Sequence, residues 1–244
     1  MGAKPLRIDL NADLGEGGPQ DEALLALVTS ANVACGGHAG DSQSMLATVK
    51  LAKAHHVKVG AHPSYPDRAN FGRQTIKIDA ESLFNSLIQQ INAIKAVCDE
   101  LGVDLHHVKP HGALYNDAAQ DPALGRILIR VIEAINPKLK LMILAGSPLV
   151  IQARRAGIEV IEEAFADRGY CADGRLAPRS QPGALIEETH RVLEQVSSIV
   201  EEQTVTTVTG DSINCQATSL CLHGDTPQAL EFARAIRASL EHQE

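Results

Sequence analysis

Seven ionisable residues stand where short polar or glycine-containing loops follow apolar runs: Asp13, His38, His62, Lys109, His111, Glu163 and His223. Asp13 and Glu163 are candidate general bases, and the four histidines can move protons near neutral pH. Lys109 offers a fixed cation to an oxyanion, a carboxylate or a phosphate. A lone histidine after a strand is usually a hydrogen-bonded structural residue. Six separate strands each delivering an ionisable group is harder to obtain from packing, because such groups are expensive to bury. The set therefore reads as a catalytic constellation.

A second set could hold substrate. Asn11 shares a strand face with Asp13, while Arg68, Arg73, Arg168 and Arg179 lie on loops beside expected strand ends and can fork around an anion. Surface salt bridging is the plainer use of an arginine and accounts for some of them. Asp13, His38 and His62 could also surround a divalent ion with an open position. The two histidines lack the short H-x-x-x-H spacing, so no metal is expected. Lys109 has two readings, pairing with an acid such as Asp13 or Glu163, or binding the anionic part of a substrate. Both place it at the wet end of a core, where Lys109→Met should leave a folded protein.

The elements that would position these groups alternate between strand and helix. Residues 7–14 read as a strand with Ile8, Leu10, Ala12 and Leu14 on one face and Asp9, Asn11 and Asp13 on the other. The polar face suits an exposed edge strand or an acidic line aimed into a barrel mouth. Gly15-Glu16-Gly17-Gly18 breaks this strand ahead of a short helix at 21–28. Further strands are expected at 30–35, 57–61, 105–109, 139–144, 158–162 and 219–222. Between them run helical patterns: one capped by Asp41, one from about Asp79, and two opened by Asp121-Pro122 and Ser147-Pro148. A polar insertion at 165–182 leads to a helix at 184–200, and 205–208 suggests a short hairpin.

About seven β-then-α units form a parallel sheet with short crossovers. Neither G-x-G-x-x-G nor G-x-x-x-x-G-K-[ST] occurs after a strand, which favours a β/α barrel over a nucleotide-binding open sheet. In such a barrel the strand C-termini share one face, and the site lies there. No linker-like stretch divides residues 1–244, so one domain is expected. The net charge of −8 disfavours a nucleic-acid partner. Five scattered cysteines without a C-x-x-C pair, no apolar N-terminal run and no membrane-length apolar stretch point to a cytoplasmic protein.

Several blocks resemble the LamB/YcsF family, which provides one of the three components of prokaryotic ATP-dependent 5-oxoprolinase. They are Ile8 to Gly17, Asn32 to Asp41, Gly60-Ala61-His62-Pro63-Ser64-Tyr65-Pro66-Asp67-Arg68 and His107-Val108-Lys109-Pro110-His111-Gly112-Ala113-Leu114-Tyr115-Asn116. Phe165-Ala166-Asp167-Arg168-Gly169-Tyr170 and His223-Gly224-Asp225-Thr226-Pro227 complete the set. Gly37 departs from the family's usual Phe, removing an aromatic wall near His38, and Gln74 replaces a second Arg after Arg73. The resemblance implies an irregular, roughly seven-stranded β/α barrel like those of glycoside hydrolases and polysaccharide deacetylases. It implies opening of the 5-oxoproline lactam to glutamate with cleavage of ATP, with magnesium, in an assembly with partner subunits B and C. Two other readings stay open: a metal-dependent deacetylase-like hydrolase acting alone on an amide or carbohydrate, and a non-catalytic lactam-binding subunit.

Overall fold

The structure is a computed structural model that describes residues 8–222, 224 and 227–242. His223, one of the candidate site residues, lies outside the described residues.

In chain order the strands are β1 (Asp9–Leu14), β2 (Ser30–Ala34), β3 (Lys58–His62), β4 (Leu105–Val108), β5 (Lys140–Leu144), β6 (Val160–Phe165), β7 (Thr204–Thr206), β8 (Ser212–Asn214) and β9 (Ser219–Leu222). Six of them, β1 to β6, and then β9 hydrogen-bond side by side into a closed barrel. Every barrel pair is parallel, and β9 closes the ring between β6 and β1. The remaining two, β7 and β8, form a separate antiparallel hairpin. The helices are α1 (Asp21–Leu25), α2 (Ser42–Ala54), α3 (Ala80–Leu101), α4 (Gly112–Ala118), α5 (Pro122–Ile135), α6 (Pro148–Arg155), α7 (Thr189–Ser197) and α8 (Ala229–His242).

Local chemistry explains most boundaries. Asp41 caps α2 by accepting from the Gln43 and Ser44 amides, and the Ser44 hydroxyl takes up the Asp41 amide in return. Asp79 caps α3 by accepting from the Glu81 and Ser82 amides, and Gly102, in the left-handed region, ends it. Asp121 caps α5 ahead of Pro122. Ser147 departs from this pattern: its hydroxyl is buried without a hydrogen-bond partner and makes no cap bond to α6. The segment expected as one helix at 184–200 is shorter, starting at Thr189 and passing after Ser197 into a π-helical turn, Ser198–Glu202.

Two further departures move the site. The sequence after Lys109 reads as a loop, yet the chain turns directly into α4 with His111 at its N-cap. Strand β6 runs to Phe165 rather than ending near 162, which carries Glu163 from the expected rim into the strand interior, where it is wholly buried.

The polar face of β1 points into the barrel and not to solvent. At the lower end Asp9 accepts hydrogen bonds from the Ser30 and Ser219 hydroxyls, both at 2.6 Å. One layer up, the Asn11 amide donates to Glu163 Oε1 at 2.9 Å and to Ser219 Oγ at 2.8 Å. Asn32 donates to Asn11 Oδ1 at 2.7 Å and faces His107 Nε2, also at 2.7 Å, through its own oxygen. Gly60 makes this layer possible, because a Cβ there would stand 2.1 Å from His107 Nε2. Burying this many polar groups is tolerable only because they satisfy one another. Asp13 tops the line at the mouth.

Candidate active site

At the mouth, Lys109 is 2% exposed and its Nζ is held by two carboxylates, Asp13 Oδ1 at 2.9 Å and Glu163 Oε1 at 2.8 Å. Cys221 Sγ at 3.1 Å and Asn11 Oδ1 at 3.3 Å complete its surroundings. Burial alone would drive this ammonium toward neutrality. Asp13 and Glu163 outweigh that and hold the lysine well above its usual range. An ammonium has three protons to donate, and partners within the barrel occupy them. The acid-pairing reading of Lys109 therefore describes this structure. Glu163 is equally committed, its second oxygen accepting from the Tyr115 hydroxyl at 2.8 Å.

Three histidines of the candidate set, His38, His62 and His111, converge from three strand ends. His62 Nδ1 lies 2.8 Å from the Lys109 carbonyl oxygen, so that nitrogen carries hydrogen and Nε2 points at the mouth. His111 Nε2 lies 2.9 Å from the Phe71 carbonyl oxygen, so its Nδ1 faces inward. Those two inward nitrogens are 3.0 Å apart. Asp13 Oδ2 is 3.3 Å from His62 Nε2. Burial lowers the pKa of His62, but neighbouring Asp13 and then Glu16 more than reverse this, and the net shift is upward. His111 is pushed down to about 3 by burial and by His62, and His38 falls to about 3 for the same two reasons. Of the three, His62 is the one whose charged form its neighbours favour, and its Nε2 stands between Asp13 Oδ2 and His111 Nδ1.

His38 stacks on His111 with ring centroids 3.6 Å apart and planes within 3°. Its Nε2 donates to Glu16 Oε1 at 2.8 Å, leaving Nδ1 buried without a partner. The loop that holds His38 needs its glycines. At φ +83°, Gly40 brings its backbone against Ala34, whose carbonyl oxygen would lie 2.4 Å from a Cβ at 40. The direction of a Cβ at Gly37 is filled by Gln90 and Ser64, so no open gap stands where an aromatic ring is expected. The ring packed edge-on to His38 is Phe71, at 5.2 Å.

Asp13, His62, Lys109 and His111 line a cavity of about 830 Å³, together with Glu16, Tyr115 and Phe165 and with Arg73, Arg168, Arg175 and Arg179 at its rim. That volume is in the range of small-molecule sites. Asn11, His38 and Glu163 stand behind this lining. The expected arginines divide. Arg73 and Arg179 are exposed on the cavity, and Arg73 lies over the Phe71 ring. Arg168 is buried and spends its guanidinium on the Ala177 and Ala184 carbonyls, at 2.7 and 3.1 Å, which pins the 165–182 insertion. Arg68 does the same for the glycine loop, donating to the Gly36 and Gly40 carbonyls.

Sequence reasoning missed Glu16, Tyr115, Arg175, Asn32 and His107. Glu16 lies within a glycine-rich break, and its three-residue offset from Asp13 was the available signal. Asn32 and His107 are polar residues inside otherwise apolar strands, which is the mark of a filled polar lumen.

The geometry defines a parallel β/α barrel with a polar interior and an ionisable cluster at its C-terminal mouth. The chain matches the LamB/YcsF family over residues 8–244, and it belongs to that family. It is 46% identical over 235 residues to a 5-oxoprolinase component from Haemophilus influenzae strain PittGG, covering 96% of each chain. Among solved structures, it superposes on the lactam utilization protein from Thermus thermophilus with a TM-score of 0.90 and 41% identity, covering 97% of this chain and 96% of that one. A family 4 carbohydrate esterase from Streptomyces lividans shares the fold at 13% identity, with a TM-score of 0.51 over 98% of this chain and 89% of that one. Among the described residues, no helix is long and apolar enough to cross a membrane.

Proposed function

We infer that this chain is the component of an ATP-dependent 5-oxoprolinase in which the lactam ring of 5-oxoproline is opened to glutamate, acting with partner subunits B and C. The observation that carries the reading is the Asp13–His62 pair on the wall of an arginine-rimmed cavity. Its context is a family whose Haemophilus member is named as a 5-oxoprolinase component and whose Thermus member is named for lactam utilization.

A lactam is a poor electrophile because its nitrogen feeds electrons into the carbonyl. Transfer of the terminal phosphoryl group of ATP to the lactam oxygen, with ADP leaving, makes the ring carbon attackable. Water then adds to that carbon, its proton passing to a base, and the C–N bond opens to an acyl phosphate. A second water releases phosphate and glutamate. In this chain Asp13 is the base, since it lines the cavity and its Oδ2 reaches His62 Nε2. His62 serves as the proton reservoir for the leaving nitrogen. Lys109 sets the charge and position of Asp13 from behind, and Glu163 and Tyr115 hold Lys109. Arg73 and Arg179 suit the substrate carboxylate and the phosphoryl group, whereas Arg175 pairs with Asp173 and donates to the Gln120 side-chain oxygen.

Because the sequence has no phosphate-cradling glycine motif, partners supply part of the ATP site. The test is glutamate release from 5-oxoproline by the chain alone and with both partners, each with and without ATP. The reading predicts turnover only in the complete mixture with ATP. Robust ATP-independent turnover by the isolated chain would favour a hydrolase acting alone. A complete mixture whose turnover survives omission of this chain would reduce it to an accessory.

A further inference from the structure

Four donor groups from four successive β/α units meet at one point of the mouth: Glu16, His38, His62 and His111 offer ligand atoms that all lie within 4.8 Å of one another. We propose that Glu16, His62 and His111 form a binding site for one divalent first-row transition ion, of the zinc or cobalt type, with its open position facing the cavity. This goes beyond lactam chemistry, and because a bound ion takes the Nε2 lone pair of His62, ring opening with His62 as proton donor belongs to the metal-free state. It also replaces the expectation, drawn from spacing alone, that no metal is bound.

The three donors fit such an ion in distance and in direction. The triangle His62 Nε2, His111 Nδ1 and Glu16 Oε1 has sides of 3.0, 3.4 and 3.8 Å. Ligands of a tetrahedral ion bound at roughly 2.0–2.1 Å stand about 3.4 Å apart, the middle of that spread. The rings of His62 and His111 have centroids 4.8 Å apart, close to the ~5 Å expected of two imidazoles on one such ion. Each ring donates its other N–H to a backbone carbonyl, Lys109 for His62 and Phe71 for His111. That second contact fixes the tautomer a metal-binding histidine needs.

His38 takes a different part. Its ring lies 3.6 Å from His111 and parallel to it, too close for both to ligate one ion. It donates instead to Glu16 Oε1, orienting the carboxylate. Two imidazoles and one carboxylate disfavour magnesium, which prefers an all-oxygen shell, so this ion is distinct from any magnesium that accompanies ATP. The competing occupant of the gap between His62 and His111 is a single proton. A proton bridges only two partners, whereas an ion at this point engages all three donors.

The test uses tag-free chain stripped with a chelator and titrated with cobalt(II) chloride, then with zinc sulfate. Expected are one equivalent bound, visible ligand-field bands of a low-coordinate cobalt site, and loss of those bands when zinc displaces cobalt. Glu16→Gln and His111→Asn should each weaken binding at least about tenfold, with the circular dichroism spectrum unchanged. If His111→Asn does not fold, Glu16→Gln decides alone. The proposal is overturned by absence of cobalt bands in the parent protein, or by bands and stoichiometry that survive in the folded Glu16→Gln variant.

Discussion

Lys109 Nζ lies 2.8 Å from Glu163 Oε1 inside the barrel, and both side chains are within 2% of complete burial. The pair links the end of β4 to β6 across the lumen and ties the mouth to the polar layer below it. Its burial makes Lys109→Met costlier than a substitution at the wet end of a core would be. Met keeps the stem, but it strands Glu163 and Asp13 without their cation. Breaking a buried pair from one side costs about 3–5 kcal/mol. At roughly 2–4 °C per kcal/mol for a chain of this length, the melting temperature should fall by about 6–20 °C. Thermal unfolding of purified Lys109→Met checks this, and a melting temperature within a degree or two of the parent would contradict it.

The three histidines predict a stability maximum near neutrality in the metal-free protein. His38 and His111, depressed to about 3, stay neutral in the fold while the unfolded chain protonates near pH 6.5. Their contribution is present above that value and is lost as pH falls toward 3. His62 is raised, so its contribution is complete below pH 6.5 and is lost as pH rises through its folded pKa. Between pH 4 and 6, unfolding therefore takes up about two protons at these rings, and stability drops by up to ~2.7 kcal/mol per pH unit from them. Thermal melts across pH in chelator-treated protein measure it. A flat profile over that interval would remove the charge assignment of the histidines.

The arginines separate binding from support. Arg168→Gln removes the guanidinium donors to the Ala177 and Ala184 carbonyls, the second of which keeps the Gly169 amide, and should cost about 1–3 kcal/mol. Exposed Arg179 faces the cavity, and Arg179→Gln should leave stability within about 0.5 kcal/mol while raising KM for 5-oxoproline or ATP in the reconstituted assembly. Equal KM for parent and Arg179→Gln would take this arginine out of the binding set.

The barrel was legible because each strand is short, apolar and followed by a break, and because Asp41, Asp79 and Asp121 announce their helices. The direction of β1 was legible only as two alternatives, since alternation places Asp9, Asn11 and Asp13 together without saying what they face. Closure of the sheet decides it. Positions that touch across strands resisted reading: Glu163 joins Lys109, Tyr115 and Asn11 over separations of roughly 50 to 150 residues that no local pattern records. Arg68 and Arg168 misled for the opposite reason, because a guanidinium that braces backbone carbonyls looks, in sequence, like one that awaits an anion.

Asp13 carries the claim that ring opening happens on this chain. Its Oδ1 accepts from Lys109 at 2.9 Å and Asn32 at 2.8 Å, bonds that an amide oxygen can keep, so Asp13→Asn retains those two contacts while it removes the base and turns an NH2 toward His62 Nε2. The decisive measurement is ATP-dependent glutamate formation by Asp13→Asn assembled with both partner subunits, beside a melt showing the variant folded. Loss of a general base predicts a drop of about a hundred- to ten-thousandfold. Glutamate formation within about threefold of the parent, from a folded variant, would contradict the account.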